Sequence, residues 1–104
     1  MEEKNYPCPA KDYKVLINTN TYNQAAYIQD TLNGIAIQLT DFQFVGVVID
    51  DCSTDGEQDV IKSWLTENCE MNNAQQIDIP TSQVIIVKHK TNRNCTFAVY
   101  LLKM

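Results

Sequence analysis

The sequence predicts a three-layer α/β fold built on a parallel sheet, and three observations carry that expectation. Apolar segments with strand character alternate with segments of helical periodicity, giving the order strand, helix, strand, helix, strand, helix. The second of the strands, Phe44-Val45-Gly46-Val47-Val48-Ile49, is almost wholly apolar, as a strand covered on both faces would be. Two polar clusters, Asn20 to Asn23 and Asp50 to Gly56, fall directly after the first two strands, where ligands bind in open parallel sheets.

The elements follow in order. Residues 1–104 read as a single domain, the N-terminal part of a larger one, whose first residues, 1–12, form a flexible lead-in containing Pro7 and Pro9. Tyr13 to Thr19 reads as the first strand, from its β-branched and apolar content, and Asn20-Thr21-Tyr22-Asn23 as a turn. A helix then starts near Gln24, with Ile28, Leu32, Ile35 and Leu39 recurring on one face. Gly34 within it predicts a close helix–sheet approach and weakens the helix by about 1 kcal/mol relative to Ala. After the second strand, Ser53, Thr54 or Asp55 can cap a second helix that turns Val60, Ile61, Trp64 and Leu65 inward. Asn72 to Gln83 is polar, contains Pro80, and reads as a surface loop. Val84 to Val87 is the third strand. Thr96 to Met104 reads as a third helix with Phe97, Leu101 and Tyr100 inward, broken off in mid-helix as by a truncation.

Composition narrows the function. A net charge of −5 and scattered basic residues argue against a nucleic-acid partner, which needs clustered Lys and Arg to displace counterions. A small anion held by backbone N–H groups remains compatible with that charge. No apolar run approaches the ~20 residues of a transmembrane helix, and the polar start is not a signal peptide. Cys8, Cys52, Cys69 and Cys95 form no C-x-x-C pair and have only His89 as company, so neither zinc nor a disulfide framework is expected. The cysteines read as reduced and the protein as cytoplasmic.

The segment from Val15 to Trp64 resembles the opening of family 2 glycosyltransferases. The residues that carry the resemblance are Thr21-Tyr22-Asn23, then Tyr27-Ile28, Thr31-Leu32, Ile35 and Gln38, then Asp50-Asp51-Cys52-Ser53-Thr54-Asp55-Gly56. A lone Asp-Asp pair would be weak, whereas the seven-residue cluster at a strand end, one helix after Thr-Tyr-Asn, is specific. Asn20 stands where the family usually has Pro, and Arg93 to Ala98 departs from the family pattern before its third helix. The resemblance implies a Rossmann-like sheet of GT-A type, β-α-β-α-β-α, in which the first strand is central. It also implies a bacterial-style transferase, cytoplasmic or peripheral at the inner membrane, moving a sugar from a nucleotide-sugar donor (UDP-type) to a hydroxyl of a carbohydrate acceptor.

In that family the second acid of the pair reads the nucleotide base, which carries over to Asp51, and an aromatic at Tyr22 flanks it. Thr21, Asn23, Asp50 and Ser53 complete the nucleotide-binding set by position. The bland readings stand beside these: Asp50 ending a strand, Tyr22 packing under a turn, and Ser53, Thr54 and Asp55 acting as caps. Trp64 reads as core, and Arg93 as a solvated loop residue, though relatives bring a basic side chain to the nucleotide there. The divalent metal of the complete enzyme, Mn2+ or Mg2+, and the catalytic residues are expected beyond Met104, so no metal ligand and no catalytic residue is assigned here. The rival reading is a stand-alone nucleotide-binding or regulatory module. A phospho-receiver is disfavoured, because its acidic pair follows the first strand and this one follows the second. Loss of a neighbour beside the first strand implies self-association through the bared sheet edge.

Overall fold

A computed structural model describes residues 15–103; the expectation for the lead-in, and for Tyr13 and Lys14 in the first strand, lies outside them. The described chain runs β1 (Val15–Thr21), α1 (Ile28–Ala36), β2 (Phe44–Asp50), α2 (Glu57–Asn68), a 3-10 turn (Met71–Asn73), β3 (Gln75–Ile79), β4 (Ser82–Lys88) and β5 (Cys95–Leu102). It is a mixed α/β fold with one five-stranded sheet in the order β1-β2-β5-β4-β3. The three strands β1, β2 and β5 are parallel, β4 runs antiparallel to β5, and β3, antiparallel to β4, takes the direction of the first three again. In register, Thr21, Asp50 and Leu101 lie side by side, so the carboxyl ends of the parallel strands finish on one line.

Strand alternation sends Phe44, Val48, Cys95, Phe97, Val99, Leu101, Ile85 and Val87 to the face that carries the core. From α1 that core receives Ile28, Leu32, Ile35 and Ala36, and from α2 it receives Ile61, Trp64 and Leu65. Trp64 packs edge-on against Phe97 at 5.2 Å between ring centroids, and its indole N–H donates to Asn33 Oδ1 at 2.9 Å. One residue thereby ties α2 both to the sheet and to α1, as its place on the helical stripe predicts. Gly46 makes the close helix–sheet approach. A Cβ there would lie 2.9 Å from Ile35 Cγ2 and 3.2 Å from the Phe97 ring. Gly34, where the sequence predicts this approach, instead has open space around it.

The third helix is absent: Cys95–Leu102 is β5, an interior strand with neighbours on both edges. Phe97 and Leu101 share a face at a spacing of four in a helix and also in a strand, so their periodicity does not separate the two. Thr96, Phe97, Val99 and Tyr100 favour a strand, and pairing with β2 and β4 decides it. The expected loop at 72–83 contains β3, whose closing turn is Pro80-Thr81 between the paired Ile79 and Ser82. Its polar Gln75, Gln76 and Asp78 suit an exposed edge, which is why they read as loop. Because only the short stretch 89–94 joins β4 to β5, too short for a crossover, β4 runs against β5 and is not the parallel third strand expected. The first helix stops at Ala36, which leaves Leu39 outside it and almost fully exposed.

Candidate functional site

β1 and β2 deliver two loops to the same end of the sheet. Thr21 belongs to β1 and is buried, and the Asp51 N–H donates to its carbonyl at 2.9 Å, so the parallel pairing continues one step beyond Asp50. Each loop then turns on a residue with positive φ: Asn23 at 53° and Cys52 at 61°. Asn tolerates this left-handed region better than most side chains, and Cys does not, so the second turn is held in a less favoured conformation.

The loops are stitched to each other. The Asn23 N–H donates to Ser53 Oγ at 2.8 Å, and Asn23 Oδ1 accepts the Thr54 N–H at 2.8 Å. The Ala25 N–H donates to Asp55 Oδ2 at 3.0 Å, while Asp55 Oδ1 accepts the Glu57 N–H at 3.1 Å. The N-cap of α2 is Gly56, whose left-handed φ of 89° lets the helix begin, and of the three expected capping residues only Asp55, one place before it, takes a helix N–H. Ser53 and Thr54 bridge the loops instead of capping.

Asp50 faces the interior. It is completely buried and accepts the Ser53 N–H at 3.0 Å, the Ser53 hydroxyl at 2.5 Å and Gln58 Nε2 at 2.6 Å. The same Gln58 amide donates to the Leu102 carbonyl at 2.9 Å, tying the hub to β5. Asp51 and Tyr22, by contrast, are exposed at neighbouring strand ends, Tyr22 at 53%. No hydrogen bond or ion pair among the described residues engages either side chain. The structure thus separates the six expected residues. Asp50, Asn23 and Ser53 serve the loop framework, Thr21 sits beneath it, and Asp51 and Tyr22 are presented to solvent.

Two residues of this framework escaped the sequence reading, Glu57 and Gln58. Glu57 is fully buried on the same stripe as Ile61 and Leu65, and an acid four residues before a buried Ile was the available signal. Arg93 lies away from the site. Since β4 runs antiparallel, the loop after it sits at the amino ends of β2 and β5, where Arg93 pairs with Glu70 at 2.6 Å. A groove of about 650 Å³ lies at that same end, lined among others by Asn33, Asn68, His89 and Asn92. Asn92 Nδ2 holds the chain after α1 by donating to the carbonyls of Ala36 and Gln38, each at 2.8 Å. The Cys69 and Cys95 thiols are buried, and burial pushes both up to about 12, which leaves them protonated and inert.

The described acids do not fit a divalent metal cradle. No group of three His, Cys, Asp or Glu converges among the described residues, and both oxygens of Asp50 are occupied by protein donors. No helix among them is long and apolar enough to cross a membrane.

Parallel strands whose aligned carboxyl ends carry two mutually braced loops define a domain of the open α/β class, in which that end of the sheet is the usual place for a ligand. The sequence profile of glycosyl transferase family 2 matches residues 17–98, which takes in β1 from Ile17, both helices and the sheet as far as Ala98. The chain belongs to that family. Comparison with curated proteins gave no match, and neither did comparison with solved structures.

Proposed function

We propose that this domain binds the nucleoside part of a nucleotide-sugar donor, of the uridine diphosphate type, for transfer of the sugar to a hydroxyl of a carbohydrate acceptor. The observation that carries this reading is the pair Asp51 and Tyr22. They are exposed at adjacent strand ends, on loops that Asn23, Ser53 and Thr54 brace against each other by hydrogen bonds. A fixed carboxylate accepts a charge-assisted hydrogen bond from an imide N–H, and an aromatic ring beside it offers a stacking surface that excludes water. The acceptor's base and the metal of the complete reaction are assigned to none of the described residues.

The test is titration of the full chain with uridine diphosphate, followed by amide chemical shifts. Shifts centred on 21–23 and 50–53 are expected, with Asp51→Asn weakening binding by about tenfold or more, the scale of a lost charge-assisted bond. Asp50→Asn behaves differently: it removes an interior acceptor and lowers stability by about 1–3 kcal/mol, with a smaller effect on affinity. Equal weakening by both at unchanged stability, or no shift at these loops with millimolar ligand, defeats the reading.

A further inference from the structure

Glu57 opens α2, yet none of its side chain reaches solvent. Its Oε1 accepts the Gln24 N–H at 2.6 Å and lies 3.0 Å from the Ser53 hydroxyl. Ser53 Oγ is also 2.5 Å from Asp50 Oδ1, so a single hydroxyl proton serves two carboxylate oxygens. The other oxygen of Glu57, Oε2, is buried with no partner. Burying a carboxylate with an orphan oxygen costs stability. Starting the helix does not require it, since Asp55 already takes the first free N–H and Gly56 makes the turn. What Glu57 does besides is take the N–H of Gln24, two residues after Tyr22. The Asn23 N–H ends on Ser53, the Gln24 N–H ends on Glu57, and these two acceptors touch each other.

We infer that Glu57 is a positioning residue, which fixes the loop after β1 against the loop after β2 and so sets the placement of Tyr22 relative to Asp51. The inference rests on the nucleoside-binding reading for its functional consequence, and on the hydrogen bonds above for its structural content. The other bonds from one loop to a side chain of the other, Asn23 to Ser53, Ala25 to Asp55 and Thr54 to Asn23, are exposed and compete with water. The bonds to Glu57 are partly buried and shielded from that competition.

Glu57→Gln keeps Oε1 as an acceptor, whereas Glu57→Ala removes it, and the two variants of the full chain are compared with the parent. Uridine diphosphate affinity is expected to fall about tenfold or more in the Ala variant, and to stay within about twofold in the Gln variant. Amide exchange at Asn23 and Gln24 is expected to quicken in the Ala variant alone, with β2 and β5 protected as before. Faster exchange spread evenly over the sheet would mark a merely structural role and overturn the inference. So would unchanged exchange at Gln24, or a Gln variant as impaired as Ala. If the parent chain binds no uridine diphosphate, the nucleoside reading falls by itself, and the exchange at Asn23 and Gln24 still decides the role of Glu57.

Discussion

Neighbouring residues in this chain can have opposite surroundings, and backbone geometry decides which. Asp50 is the last residue of β2 on the face that meets the helices, so it is drawn under the start of α2 and saturated with donors. Asp51 is one step further along, where the chain leaves the sheet, and its carboxylate is exposed. His89 shows the same dependence at the other end of the sheet. Its Nδ1 accepts the N–H groups of Thr91 at 3.2 Å and Asn92 at 3.0 Å, an assignment that leaves the ring proton on Nε2. Burial lowers its pKa below the ordinary 6.5. The folded chain therefore binds this proton less readily than the unfolded one. The stability it contributes is present above about pH 6.5 and is lost as the pH falls through the lowered folded value. Protonating Nδ1 also removes the acceptor that shapes the 89–92 turn, and Asn92 in that turn holds the carbonyls after α1. We expect the unfolding midpoint of the parent to drop more steeply between about pH 7 and pH 5 than that of His89→Gln, which cannot titrate. Parallel curves for the two proteins would show that His89 is not responsible.

At the scale of elements, the interlock of α1 with the sheet depends on the missing side chain of Gly46. Gly46→Ala would push a methyl to 2.9 Å from Ile35 Cγ2, between a helix and the edge-packed Phe97. We expect a loss of about 1–3 kcal/mol, with Ile35→Ala coupling to it in a double-mutant cycle by at least about 0.5 kcal/mol. Gly34→Ala is the counterpart: nothing crowds that position, and the change should stabilise by about 0.5–1 kcal/mol through helix propensity alone. Denaturant unfolding of Gly46→Ala, Ile35→Ala, their double variant and Gly34→Ala checks both signs. These glycines also show what could be read before folding. β1, α1, β2 and α2 were legible because each has a single dominant period and ends in turn chemistry. Gly34 and Gly46 were not distinguishable, since close approach depends on which residue of another element faces it. β5 was misread because an apolar stretch of eight residues fits either period. β3 was missed because an exposed edge strand need carry no apolar alternation. In the site, the residues at the strand ends were legible from the Thr-Tyr-Asn and Asp-Asp clusters. Glu57 was not, because its role arises only when two loops distant in sequence meet.

Over the whole molecule, the two edges of the sheet are not equivalent. The β3 edge carries Gln75, Gln76 and Asp78, ends at Pro80, and is tied down by the ion pair of Lys103 with Asp78. These are the usual means of discouraging another strand from adding. The β1 edge has none of them. Val15 to Thr21 contains neither charge nor Pro, no partner strand lies beyond it among the described residues, and Val15 and Leu16 are 42% and 45% exposed. An uncharged strand with free N–H and C=O groups is a template for a second copy of itself. The opposing term is the net charge of −5, whose repulsion is screened over about 10 Å at 0.1 M salt and over less at higher salt. Self-association through β1 should therefore rise with both protein concentration and salt, and sedimentation is the measurement. Leu16→Lys places a charge on that edge and should return the chain to a monomer, while Ile79→Lys on the β3 edge should leave association unchanged. A chain that stays monomeric at about 1 mM in high salt, where screening removes the charge barrier, would show that the β1 edge is protected after all. Association that survives Leu16→Lys would instead place the contact on another surface.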